Sequence, residues 1–367
     1  EIVQSLSRST TALLINMSAA KVDTKRYDRQ IRLWGMETQL RMGSTRVLLC
    51  GAGGLNAEVA KNLVLSGVGH VTLQDHEVVS EADVGSGGQF LLKSADVGRN
   101  RAEASLVFLR ELNPSVSVTS DARDVRSLDE AYFAQFDIVV VTELELEDIV
   151  RAGAVARAAR HSATAEADDD APGAKRQRVE QAPHVQPDGG GATAAKPIYF
   201  IGAGATGLYG YALADLGNYT YAETMTKKTA DGESTSETRP KTISFPAVQD
   251  ALAGASAIKQ PTDLARVLAA QRMYYGNEPA ETAIAHTLKV LGLPASTLTP
   301  ADAEAVRANA SAALSPTCAI LGGLIGQEVI KLISRKDCPI DNMLCLDCVS
   351  APPQGGGRVV RLQPLAP

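Results

Sequence analysis

The chain has 367 residues, 45% of them hydrophobic, which is enough for a large core and more length than one ordinary domain uses. A formal net charge of -6 argues against a polyanion as main partner, because nucleic-acid binders carry a basic domain or stripe, so no nucleic acid is expected. No apolar run approaches the ~20 residues of a membrane span and no signal-peptide pattern opens the chain; five scattered cysteines form no disulfide framework, so a soluble protein of a reducing compartment, without a membrane partner, is expected.

Residues 1–23 read as a flexible N-terminal extension, and "MSAAK" at Met17 reads as a translation start, which makes residues 1–16 an upstream extension. From Thr24 to Gly35 a short amphipathic helix is predicted, with Tyr27, Ile31 and Trp34 on one face, Arg26, Arg29 and Arg32 on another, and Gly35 as its stop. An apolar run at Val47–Cys50, a glycine turn, a helical pattern and a second run at Val71–Leu73 ending in Asp75 make a βαβ unit of Rossmann-like order. A helix over Arg99–Leu112 and a buried parallel strand in "FDIVVVT" (136–142) follow, then a helix over Glu147–Arg160. Residues 162–196, rich in Ala, Asp, Pro and Gly and almost free of large apolar side chains, cannot build a core and read as a disordered insertion. The fold resumes at "PIYFIG" and continues to about residue 242, with "MTKKTADGESTSETRPK" as a polar separating stretch. Residues 243–315 read as a small helical subdomain, and residues 316–367 as a glycine-containing buried helix followed by two strands.

Two glycine loops invite a nucleotide reading. In the first, Gly51, Gly53 and Gly54 follow a buried strand and open a helix, and Asp75 ends the next strand; bare backbone N–H groups at a helix N-terminus suit phosphate, and a carboxylate about 20 residues on suits ribose. Glycines that merely permit tight strand-to-helix packing explain the same residues, and Asn56 stands where a third glycine is usual. The second loop, Gly202, Gly204 and Gly207, runs on into tyrosines at β spacing and reads as a strand end and turn.

"RYDRQIRLWG", "GAGGLNAEVAKNLVLSGVGHVTLQDHE", "QFLLKSADVGRNRAEAS", "LNPSVSV", "FDIVVVT", "GLYGYALADLG" and "CAILGGLIGQEVIKLIS" resemble, in this order, the ThiF/MoeB-type adenylation domain of ubiquitin-like-protein activating enzymes. The likeness is to the smaller, non-thioester half of the heterodimeric SUMO activators, and covers most of the chain outside the insertion and the helical subdomain. It implies an α/β Rossmann-like fold with a mostly parallel sheet. It also implies a larger partner subunit that carries the catalytic cysteine and holds ATP with Mg2+, SUMO as a further partner, the SUMO-conjugating enzyme as an indirect one, and a place in the nucleus and cytoplasm. In such dimers the modifier's C-terminal glycine carboxylate attacks the α-phosphate of ATP bound to the larger half.

The chain departs from the active pattern where a smaller half should. Active halves resemble "DxDxxxxxNLNRQF" after the second strand, whereas "QDHEVVSEADVGSGGQF" puts Gly87 and Gly88 at the polar positions, and Arg101 replaces the usual lysine. The loop at Gly51, Gly53, Gly54 and Asp75 is thus implied to be vestigial, with no nucleotide bound tightly by this chain alone. Arg29 matches the arginine that reaches across the dimer to the partner's ATP phosphates, a role suited to a planar, permanently charged guanidinium. Arg32 stays structural, four residues from Asp28.

Cys318 reads as a packing residue, and with a single CxxC (Cys345, Cys348) no zinc or other metal site is expected. "KRQR" at 175–178 is a short basic run of the kind that can serve nuclear import. An NAD-dependent oxidoreductase would use Gly51 and Asp75 but lacks a visible catalytic dyad. A bacterial-type sulfur-carrier adenylyltransferase lacks the triphosphate arginine. The smaller subunit of an activator for another ubiquitin-like protein remains open.

Overall fold

The computed structural model describes residues 22–85, 89–168, 197–228, 234–254, 261–310, 312–340, 342–349 and 358–362. The extension before residue 22, Gly87 and Gly88, and residues 169–196 of the insertion expected over 162–196, with its basic run, lie outside the described residues. In chain order the main elements are α1 (Asp28–Trp34), α2 (Met36–Ser44), β1 (Arg46–Cys50), α3 (Gly54–Ser66), β2 (His70–Gln74), α4 (Arg101–Leu112), β3 (Ser117–Asp121), β4 (Ile138–Thr142), α5 (Leu146–Asp168), β5 (Tyr199–Thr206), β6 (Tyr209–Asp215), β7 (Asn218–Lys228), β8 (Ser234–Ser244), α6 (Pro261–Tyr275), α7 (Ala280–Val290), α8 (Pro300–Asn309), α9 (Ser315–Ser334), β9 (Met343–Asp347) and β10 (Arg358–Leu362). They divide into two units, one running to Arg123 and including Ala313–Ser334, the other made of Asp124–Ala312 with the chain from Arg335 onward.

The first unit is built on β1, β2 and β3, paired in parallel with Val47 beside Val71 and Val71 beside Val118. Val47, Leu48, Leu49 and Cys50 are all fully buried, as a continuous apolar run in a parallel sheet requires. Helix α3 ends where Gly67 takes a left-handed φ of 81°, and packs along α9 at two glycines. A Cβ on Gly322 would lie 2.5 Å from Cβ of Glu58, and one on Gly326 3.1 Å from Cβ of Asn62. Helix α9 amends the sequence reading, because it has 20 residues and an 18-residue window of mean hydropathy 1.4, long and apolar enough to cross a membrane. Two thirds of that apolar window is nevertheless buried inside the protein, as befits a core helix.

The second unit begins with β4 and β5, also parallel, and continues with β5–β6, β6–β9 and β9–β10 pairs that are antiparallel. The fold is therefore α/β, with parallel pairing through the βαβ portion and antiparallel strands after it. The second glycine stretch is a strand, as its tyrosine spacing predicts: Gly202 and Gly204 lie within β5, where a Cβ would collide with Ile149 or Gln271, and Gly207 (φ 53°) makes the turn into β6. Asp215, 1% exposed at its side chain, is gripped by Arg157 and Arg160 of α5 at 2.7 and 3.1 Å. Arg160 also donates to the carbonyl of Ile198, so α5 is tied at this point to the residue that leads into β5.

Helices α6, α7 and α8 occupy the span read as helical. Arg266 of α6 joins Asp263, Asp302 and Asp347 at 2.5, 2.6 and 3.1 Å. The polar stretch expected to be a separator is instead a two-stranded ribbon, β7–β8, of 11 residues per strand. Cross-strand threonine pairs, Thr220 with Thr242 at 2.8 Å and Thr224 with Thr238 at 3.2 Å, and Lys241 with Glu223 at 2.7 Å supply what apolar residues do not. Helix α5 likewise runs to Asp168, beyond the expected end at Arg160, so residues 162–168, expected to open the disordered insertion, are helical instead, because "SATAEAD" is alanine-rich and helix-compatible.

Candidate functional site

The glycine loop after β1 has the predicted strand–turn–helix context. Gly51 adopts a left-handed φ of 88° and donates to the carbonyl of Gln74 at 2.8 Å. Gly53 is the N-cap of α3 with no side chain on its first amides, and Gly54 is bare because a Cβ there would meet Sγ of Cys318 at 3.2 Å. Cys318, 2% exposed, is thus a packing residue under the helix N-terminus.

Several of the loop's polar groups are engaged by the chain itself. The amide of Ala52 donates to Oδ2 of Asp75 at 2.8 Å, and the amide of Glu77 to Oδ1 at 2.8 Å. Arg101, from the start of α4, pairs with Asp75 at 3.3 Å and with Asp83 at 3.5 Å. Asn56, fully buried, donates to the carbonyls of Cys50 and Gly51 at 2.8 and 2.7 Å, and Gln89 donates to that of Ala52. Asp75 therefore has both oxygens engaged and lies 5% exposed, and Arg101 points its charge at two carboxylates. A ribose at Asp75 or a phosphate at Arg101 would have to displace these partners.

Arg29 differs. It is exposed on α1 and, among the described residues, its side chain makes no ion pair or hydrogen bond, whereas Arg32 pairs with Asp28 at 3.1 Å as its spacing predicts and Arg26 with Asp23 at 3.7 Å. Leu33, one turn beyond Arg29, is 72% exposed. Helix α1 is held by Tyr27, which is buried, while Ile31 and Trp34 are half-buried.

Among the described residues no group of three or more His, Cys, Asp or Glu side chains is arranged to hold a metal ion. Cys345 is fully buried in β9 and Cys348 partly so, and burial first, then neighbouring carboxylates, pushes both thiols up. Burial does the same to Cys50 at the end of β1, reinforced by Asp121 and Asp75.

The sequence profile of the ThiF family matches residues 27–351. The chain belongs to the ThiF family. It is similar to SUMO-activating enzyme subunit 1 of Xenopus laevis, at 32% identity over 89% of this chain and 92% of the relative. Against the Homo sapiens protein of the same name the identity is 33%, over 93% and 96%. DNA damage tolerance protein RHC31 of Saccharomyces cerevisiae is 27% identical over 88% of this chain and 93% of its own length.

In this ThiF family chain, sequence reasoning missed the side chains that close the loop. Asn56 carried the one available signal, being an amide where a third glycine is usual; Gln89 gave none, because its partner lies 37 residues away.

Proposed function

We propose that this chain is the smaller, non-thioester subunit of a heterodimeric SUMO-activating enzyme. The larger subunit, on this reading, holds ATP with Mg2+ and the catalytic cysteine. There an oxygen of the SUMO C-terminal glycine carboxylate attacks the α-phosphorus, the acyl adenylate forms, and pyrophosphate leaves. This chain contributes Arg29, whose guanidinium reaches the phosphates in trans and offsets charge as it develops. Its own glycine loop serves packing and binds no nucleotide tightly.

The observation that carries the reading is the contrast between the two basic sites. The arginine beside the glycine loop, Arg101, is consumed by Asp75 and Asp83, whereas Arg29 is exposed and unpaired among the described residues on a helix that also exposes Leu33. Similarity over nearly full length to proteins named as SUMO-activating enzyme subunit 1 supports the choice of modifier. The basic run at 175–178 supports a nuclear as well as a cytoplasmic place.

The test is ATP–pyrophosphate exchange with SUMO, and with another ubiquitin-like protein in its place. The isolated chain is expected to be silent, and the complex with the larger subunit active on SUMO. Arg29→Ala is expected to leave assembly intact on gel filtration and to lower exchange by roughly one to three orders of magnitude, the scale of losing one donor from a preorganised charged site. Arg29→Lys is expected to recover little, since a point charge does not reproduce the fork. Robust exchange by the chain alone, or an unchanged rate in the alanine variant, would refute the reading.

A further inference from the structure

Helix α1 contributes none of its seven residues to the buried core, so something else must fix the direction in which Arg29 points. The attachment lies just before it. The Tyr27 ring sits over Gly67, where a Cβ would come 2.6 Å from Cζ of the ring, and its hydroxyl accepts from Nδ2 of Asn113 at 2.8 Å. Asn113, 1% exposed at the end of α4, spends its second amide hydrogen on the carbonyl of Val64 in the last turn of α3, at 2.8 Å. Its Oδ1 accepts from Nη1 of Arg26 at 3.3 Å and from the amide of Ser115 at 3.2 Å. One carboxamide thus ties the residues on the N-terminal side of Arg29 to two other helices, with each of its hydrogen-bonding groups used.

We infer that Asn113, through Tyr27, is a positioning residue for Arg29: it fixes the seat of α1 and hence the place to which the guanidinium is presented. The inference rests on the trans role proposed for Arg29. A charged donor is effective only when held near its productive geometry, and a displacement of about 1 Å at the base of such a group can cost up to about a hundredfold in rate.

The experiment is a double-mutant cycle on the assembled heterodimer, read by ATP–pyrophosphate exchange with SUMO. Asn113→Ala removes the whole bridge; Tyr27→Phe keeps the ring over Gly67 and removes only the hydroxyl, so it reports even if the first variant fails to assemble. Each is expected to lower exchange, the alanine variant by about tenfold, and to lower it no further when Arg29 is already alanine. A residue that merely supports the fold would lower exchange by the same factor in both backgrounds, and that result overturns the inference. So does an undiminished rate in both single variants while Arg29→Ala is impaired, which would leave the reading of Arg29 standing. If Arg29→Ala itself is unimpaired, the proposed trans role fails and the inference with it.

Discussion

Replacing Gly322, Gly326 and Gly323 of α9 by alanine, one at a time, separates what the helix gains from a methyl group from what its packing loses. In an exposed helix interior each change is worth about 1 kcal/mol in favour of folding, because glycine has more backbone freedom to lose. At Gly323 nothing lies within 4 Å of the added Cβ, so that gain is expected almost whole. At Gly326 the new atom meets Cβ of Asn62 at 3.1 Å, and a shift of a few tenths of an ångström should leave stability nearly unchanged. At Gly322 it would lie 2.5 Å from Cβ of Glu58, with the carbonyl of Leu55 at 3.3 Å, and neither can swing aside as the end of a long side chain can. Ordinary carbon contacts need about 3.5 to 4.0 Å, so α3 and α9 must part by about 1 Å. Overpacking of this kind costs about 1 to 3 kcal/mol, which leaves a net loss of up to about 2 kcal/mol after the helix gain. Urea unfolding of the full chain, followed by far-UV circular dichroism, should therefore rank the midpoints Gly323→Ala highest, Gly326→Ala near the parent and Gly322→Ala lowest. A Gly322→Ala midpoint equal to or above that of Gly323→Ala would refute the account of why this helix carries glycine.

Asp215→Ala should destabilise the second unit by about 3 kcal/mol, since it leaves the guanidiniums of Arg157 and Arg160 without their shared carboxylate, and Arg160 is only 11% exposed at its side chain; urea titration checks this, and a loss under about 1 kcal/mol would count against the clamp. Asp302 offers a pH dependence. Burial is the largest influence on it and pushes its carboxyl up, but the hydroxyl and amide of Thr299 and the guanidinium of Arg266 outweigh burial and hold it below the usual carboxylate range. A carboxyl lowered by folding stabilises fully above its unfolded value of about 4, and that stabilisation disappears as pH falls through the lower folded value. The midpoint difference between the parent and Asp302→Asn should thus be present at pH 6 and shrink in acid; a difference that does not change with pH would show that the bond network, not the charge, matters.

The parts legible in the sequence were those governed by local pattern. The run Val47–Cys50, the glycines after it and Asp75 announced β1, α3 and β2, and the tyrosine spacing at 209–221 separated a strand from a second nucleotide loop. The ribbon β7–β8 was hidden because it contains few large apolar residues; its threonine pairs become visible only when Thr220 faces Thr242. Helix α2 went unread because only Thr38, Gln39 and Met42 of "METQLRMGS" are buried, too short a stripe to stand out. At the candidate site Arg29 was found through the family resemblance, and its exposed, unpaired state is a finding of the fold. The seat beneath it was out of reach, since Tyr27, Gly67 and Asn113 are far apart in the chain and meet only once α1, α3 and α4 are in place.

The buried thiols give each unit its own reporter of opening. Cys50 in β1 and Cys345 in β9 are both fully buried, one in each unit, and burial keeps both protonated, so an alkylating reagent meets a reactive thiolate only when the surrounding strands separate. Cys338 is exposed and reacts without any opening of the fold, which supplies an internal standard in the same molecule. Timed alkylation followed by peptide mass spectrometry can therefore follow the breathing of the two halves separately, with no substitution. In a complex, the half whose thiol slows more is the half whose strands the partner holds shut.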